Sequence, residues 1–206
     1  MSNRTRRKVV FLLALALTPF LFVQTRAKNP EMPKLAIPFA SAPEMGTKAP
    51  SPSIYLSPDH ALIAKIIWVP DADHEIFESR VRILSKSDKV LCVKDLTSSD
   101  HNHGGVVNYA AWSPDSQFFV ATYNSSGGHQ PYAWDALCYR RGVNKFSELG
   151  DYIGQGGFSD GVFFFQAPDI ITIYVLKWGR NGLKEFGDPN TLSLRSAFQK
   201  RLRRAG

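Results

Sequence analysis

Three segments of this chain carry the same corner at nearly even spacing. They are residues 54–68 (IYLSPDHALIAKIIW), 109–123 (YAAWSPDSQFFVATY) and 163–175 (FFFQAPDIITIYV), and their prolines, Pro58, Pro114 and Pro168, lie 56 and 54 residues apart. A self-similar period of this size confines the chain to one small unit used repeatedly, either propeller blades or another repeated β unit. In each copy a β-prone run enters the Pro-Asp pair and another leaves it. Proline presets φ for the second position of a tight turn, and a neighbouring Ser or Asp side chain can bond back to the turn amides. The run after the second corner, Phe118-Phe119-Val120-Ala121-Thr122-Tyr123, is apolar without alternation. A strand covered on both faces reads that way, as it would between two neighbouring sheets.

Two hairpins extend the units. Residues 80–84 and 89–93 flank the polar turn 85–88, and residues 136–140 and 145–149 flank Arg141-Gly142-Val143-Asn144. Each repeat then holds about four short strands, the content of one propeller blade. The third copy is shorter: after 170–178 and the turn 179–182 only 183–186 remains strand-like. The expected fold is all-β, with two to three propeller-like antiparallel blades over residues 54–186. Closed propellers need ~4–8 blades, so the array is expected to be open or partial, or completed by a second chain.

Ser113-Pro114-Asp115, preceded by Trp112 and followed by an apolar strand, resembles the TolB-type β-propeller repeat. Ser57-Pro58-Asp59 matches it, and Ala167-Pro168-Asp169 matches in part, with Gln166 and Ala167 in place of the Trp and Ser. The resemblance covers residues 54–186. It implies a periplasmic or secreted binding platform, or a propeller domain of the kind attached to peptidases.

The flanks carry targeting signals. Arg4, Arg6, Arg7 and Lys8 precede a fifteen-residue apolar run, 9–23, and Thr25-Arg26-Ala27 ends in a small residue. This is the layout of a secretory signal peptide over residues 1–27. The run is short for a bilayer core of ~30 Å, which needs ~20 apolar residues, and the alternative is an uncleaved N-terminal anchor. Residues 28–53 hold six of the thirteen prolines and read as an extended linker. The net charge of +7 is concentrated in the signal, whose five basic residues leave the remainder at about +2, so no nucleic-acid partner is expected. In residues 187–206, Asp188-Pro189-Asn190 reads as a helix start, with Leu194, Ala197, Phe198 and Leu202 at helical spacing. A short basic C-terminal helix is expected, its apolar side on the domain or on an anionic surface.

Chemistry-bearing residues are few. Cys92 and Cys138 are an even pair in an exported chain; they read as a disulfide between repeats or as two separate buried thiols. Asp100, His101, His103 and His129 are candidate ligands for a divalent metal, although no HExxH spacing accompanies them. His129, Tyr132, Trp134 and Asp135 follow a Gly-rich stretch and form a candidate binding lip, unless Tyr132 and Trp134 pack into the core. Gly157-Phe158-Ser159-Asp160-Gly161 matches GxSxG, but strand residues follow the serine where a nucleophile elbow needs a helix, so turn chemistry is the expected explanation.

Together these features lead to an exported (periplasmic or secreted), non-catalytic binding or scaffold module with no cofactor. The partners expected are a protein or glycan ligand and a second copy of the chain, with membrane contact only through an uncleaved N-terminus. The alternative is a small secreted metal-dependent hydrolase built on the loop histidines.

Overall fold

The computed structural model describes residues 52–73, 75–127, 134–153, 158–178 and 184–204; the stretch expected to be a signal peptide and nearly all of the expected linker lie outside them. Among the described residues, eleven strands form three antiparallel sheets, each running through the chain in order and none closing on itself. The first holds β1 (Ser53–Leu56), β2 (Leu62–Pro70), β3 (Phe77–Ser85) and β4 (Val90–Asp95). The second holds β5 (Gly105–Trp112), β6 (Phe118–Ser125), β7 (Asp135–Arg140) and β8 (Lys145–Glu148). A single helical turn, α1 (Gly150–Ile153), precedes the third sheet. That sheet holds β9 (Phe158–Gln166), β10 (Ile170–Trp178) and β11 (Lys184–Ser193), and α2 (Leu194–Arg204) follows. The chain is therefore an all-β, open array of propeller-like blades with a short C-terminal helix.

All three Pro-Asp corners join the first strand of a sheet to its second. The first two are built alike, atom by atom. Ser57 Oγ donates to Asp59 Oδ1 at 2.7 Å and accepts Leu62 N at 3.0 Å; Ser113 Oγ donates to Asp115 Oδ1 at 2.6 Å and accepts Phe118 N at 3.0 Å. The same carboxylate oxygens accept Ala61 N and Gln117 N, both at 3.1 Å. The residue after each Asp, His60 or Ser116, takes a left-handed φ of 54° or 60°, which completes the reversal. Serine and aspartate thus satisfy turn amides that no strand can reach.

The third corner differs. Gln166 pairs with Ile170, so only three residues turn the chain, against six between Leu56 and Ile63 or between Trp112 and Phe119. Asp169, with Ala167 in place of the corner serine, is buried and turned to α2: its Oδ2 accepts Ser193 Oγ at 2.9 Å and Arg195 N at 2.7 Å. Ser193 Oγ in turn accepts Ser196 N at 3.2 Å, the bond of an N-cap. The helix therefore starts at Leu194 and not at Asp188-Pro189-Asn190. Those three residues lie in β11, which is an edge strand, where a proline leaves no ladder bond unmade.

Corners of successive sheets are tied together. Asp59 N donates to Ser116 Oγ at 3.0 Å, and Asp115 N donates to Pro168 O at 3.2 Å. Arg141, in the turn after β7, donates to Asp59 Oδ2, and Arg195, at the start of α2, donates to Asp115 Oδ2 at 2.8 Å. In both cases a cation just past the third strand of one sheet holds the corner aspartate of the sheet before it. The Arg141 guanidinium, with Ser57, keeps the Asp59 carboxyl well below the usual carboxylate range.

The middle sheet carries two cores. Phe119 and Ala121 of β6 face the first sheet, among Trp68, Val81, Ile83, Trp112 and Tyr139. Phe118 and Val120 face the third, among Phe163, Phe165, Ile171, Ile173 and Phe198. This two-sided burial is the reason β6 shows no alternation. By contrast, β2 alternates buried and half-buried positions, since the first sheet is covered on one face. Trp112 links these two sheets by donating its indole N–H to Tyr55 O at 3.0 Å. In the third sheet the parity is shifted by one: Phe165, and not Gln166, turns to the neighbouring sheet. A one-residue slip exchanges the two faces of a strand.

Candidate functional site

Because each sheet is an up-and-down meander, its connections fall at two ends. The Pro-Asp corners and the β3–β4 and β7–β8 turns lie at one end. The crossover from β4 to β5 and the residues just after β6, Ser126 and Gly127, lie at the other, and there they meet. Glu78, in β3, is the post on which they are built.

Phe77, Glu78 and Ser79 are all buried, which breaks the alternation of β3. Ser79 brings the crossover back: its carbonyl accepts Leu96 N at 3.1 Å and its Oγ accepts Val107 N at 3.0 Å. Between these points the loop wraps the Glu78 carboxylate. Ser98 N donates to Oε2 at 2.7 Å, and Ser98 Oγ and Gly104 N donate to Oε1. A further donor comes from the second loop, Ser126 Oγ to Oε1 at 3.0 Å, while Ser126 N donates to Gly104 O at 2.9 Å. Gly104 is required here, since a Cβ would strike Leu96 O and come within 2.5 Å of the Glu78 carboxyl carbon. Gly127 likewise lies against Asn102 O, and a Cβ there would lie 3.2 Å from the His103 ring. Burial alone would raise the Glu78 pKa. The bonds from Ser98, Gly104 and Ser126 outweigh it and hold the carboxyl below its ordinary value.

The surface of this junction is a second polar layer. His103 Nδ1 meets Asp100 Oδ2 at 2.6 Å, and Ser98 Oγ lies 2.8 Å from Asp100 Oδ1 as well as 2.7 Å from Glu78. One serine proton serves two carboxylates, so a hydrogen-bonded chain runs from exposed His103 through Asp100 and Ser98 to buried Glu78. Bonds from Asn102 N, Ser98 and His103 hold Asp100 well below the usual carboxylate range. The order of contacts is wrong for Ser-His-Asp chemistry. The Ser98 hydroxyl is directed to carboxylates rather than to the imidazole, so it gains no general base.

Asp135 borders a related cluster. Tyr123 OH donates to Glu148 Oε2 at 3.1 Å, and Lys94 Nζ donates to Glu148 Oε1 at 2.8 Å, joining β4 to β8 across the sheets. Asp135 pairs with Tyr123 in the β6–β7 ladder. Partial burial and then the Glu148 charge push its carboxyl up, and burial followed by the same charge pushes the Tyr123 phenol up.

Of the four side chains expected to share a metal, His129 lies outside the described residues and the other three divide. His103 pairs with Asp100, whereas His101 Nδ1 faces Glu78 Oε2 at 3.4 Å. Among the described residues no group of three or more His, Cys, Asp or Glu is placed to hold a metal ion. In the candidate lip, His129 and Tyr132 lie outside the described residues. Trp134 is half-buried against the second core, and a Cβ on Gly161 would come within 2.6 Å of its ring, so the packing alternative accounts for this indole. Asp135 belongs to the cluster just described.

Of the two readings of the cysteine pair, the structure has the separate thiols. Cys92 and Cys138 are free; Cys92 packs against the first core and Cys138 is buried in the second, so the middle sheet's two faces separate them. Turn chemistry is corrected for GxSxG, since Phe158 to Gly161 belong to β9. Gly161 takes a φ of +66° where the ladder with β10 is irregular, and its carbonyl accepts Thr122 Oγ1 at 2.7 Å. Glu78, Glu148, Lys94 and Tyr123 were not legible as site residues, because each is a single polar position in a strand and only the pairing of distant strands gathers them. Comparison with protein-family models and with curated proteins finds no match to this chain.

Proposed function

We propose that this chain is an exported, non-catalytic binding or scaffold module, and that its ligand-facing end is the loop junction around Glu78. The observation that carries this reading is the convergence of two loops from successive sheets on one buried carboxylate. A carboxylate with four donors spent on loop backbone and serine hydroxyls is a rigid support, and rigid support is what a contact surface needs to lose little entropy on binding. Above it, Asp100, Asn102 and His103 offer hydrogen-bonding groups of both signs, suited to a glycan or a polypeptide. The resemblance of the Ser-Pro-Asp corners to TolB-type repeats supports the same reading, since that family is associated with binding platforms. A fold hosts many functions, so the loop geometry, and not the repeat, bears the argument.

The test is retention on glycan and peptide arrays of the purified chain, compared with an Asn102→Ala/His103→Ala variant. Retention lost with an unchanged melting temperature supports the module. Unchanged retention removes the junction from the ligand-facing surface. Stoichiometric zinc, manganese or copper in the purified protein would instead favour the metal-dependent hydrolase. Export predicts a mature N-terminus near Lys28 by mass spectrometry, and an intact Met1 would favour an anchored form.

A further inference from the structure

At the opposite end of β6, far along the strand from the loop junction, an open cleft of about 300 Å³ lies between the turn after β7 and α2. We propose that it binds a small monoanionic carboxylate with an apolar body, with Arg140 as the cationic anchor. This inference does not depend on the function proposed above.

Aromatic rings hold Arg140 in place. Its guanidinium carbon lies 4.4 Å over the centroid of the Phe198 ring, and Phe198 is itself stacked on Phe118 with centroids 6.0 Å apart. A cation held over an aromatic face is positioned without a counter-anion. Arg140 makes no ion pair among the described residues, and its buried Nε has no hydrogen-bond partner among them. Arg141 and Arg195, at the same end, are each bound to a corner aspartate. Arg140 is the exception, and it lines the cleft.

Charge and shape then define the ligand. The Arg195 charge at the rim is balanced by Asp115, so the surplus in the cleft is the single charge of Arg140. One net positive charge selects a monoanion over a phosphate dianion, and a planar guanidinium suits a carboxylate. Phe118, Phe198 and Val143 supply apolar wall, while Gln117 and Gln199 add amide groups. The volume is at the small end of ligand sites, which favours one ring or a short side chain on the acid. Gly142, also in the wall, has no atom within 4 Å of a Cβ position, so a side chain added there meets no clash, and a large one is expected to obstruct the cleft.

The test is calorimetric titration of the full chain with phenylacetate and with its uncharged analogue phenylacetamide. Phenylacetate is expected to saturate the protein at least tenfold more tightly than the amide. Arg140→Gln is expected to weaken it tenfold or more, and Gly142→Phe to abolish binding with an unchanged melting temperature. If Gly142→Phe fails to fold, the amide comparison and Arg140→Gln decide alone. N-acetyl-alanyl-phenylalanine, titrated in parallel, separates a peptide chain end from a free small acid, and Arg140-dependent binding of either supports the proposal. Equal affinity for acid and amide, unweakened binding to Arg140→Gln, or no saturable binding of either acid up to roughly 10 mM overturns it.

Discussion

Replacing Glu78 by Gln should destabilise the domain by about 3 kcal/mol. The amide must put an NH₂ group where one carboxylate oxygen stands. If it replaces Oε2, the group meets the Ser98 amide donor; if it replaces Oε1, it meets Ser98 Oγ, Gly104 N and Ser126 Oγ. The better orientation still strands one buried donor, at about 1–3 kcal/mol, and the other bonds lose charge assistance worth about 1 kcal/mol each. Removing the cost of burying a charge offsets part of this sum, which leaves roughly 3 kcal/mol, or about 10 °C in Tm for a domain of this size. Urea unfolding at neutral pH measures it. The effect should also depend on pH. Glu78 is held below its ordinary pKa in the folded chain, so its contribution is complete above the ordinary Glu value of ~4.3 and is lost as pH falls through the lower folded value. The gap between wild type and variant should therefore narrow in acid. A difference below about 0.5 kcal/mol at neutral pH would refute the reasoning, since buried carboxylates with satisfied donors do not exchange for amides that cheaply.

Other consequences follow from named contacts. Gly161→Ala should cost about 1–3 kcal/mol and shift Trp134 fluorescence, because the new methyl meets the indole at a positive φ. Ser57→Ala and Ser113→Ala should each lower stability by about 1–2 kcal/mol in urea titrations by orphaning a buried amide; Ala167→Ser should add nothing, since the third turn is built without that bond. Native protein should have the same mass before and after reduction, apart from alkylation. Cys138 should resist thiol reagents until the chain unfolds, because burial pushes its thiol up, while half-buried Cys92 reacts first.

The parts of this fold that were legible in the sequence are those fixed by short-range chemistry. Ser57-Pro58-Asp59 and Ser113-Pro114-Asp115 carry their own donors and acceptors, so their turns are built almost wholly from the residues that announce them. The uninterrupted apolar run of β6 likewise reported that both of its faces are covered. The third corner misled in detail: Pro168 and Asp169 match, but the three-residue turn frees Asp169 to cap α2, and only the absent serine hinted at that. Asp188-Pro189-Asn190 has the composition of a helix start, yet β10 recruits it as an edge strand, where proline is tolerated. The site was read least well. Asp100, His101 and His103 stood out as a cluster, but their partners are set by Glu78, a lone acid in β3 whose role depends on Ser98, Gly104 and Ser126 arriving from separate segments. The anchor of the cleft, Arg140, differs from Arg141 only by what faces it.

Successive sheets stack so that the β4–β5 loop and the start of the β6–β7 loop meet over Glu78. A NOESY spectrum of the assigned protein tests this stacking most directly. Cross-peaks are expected from Gly127 to Asn102 and His103 at one end and from the Trp112 indole proton to Tyr55 at the other. Intra-sheet cross-peaks with neither of these would contradict it.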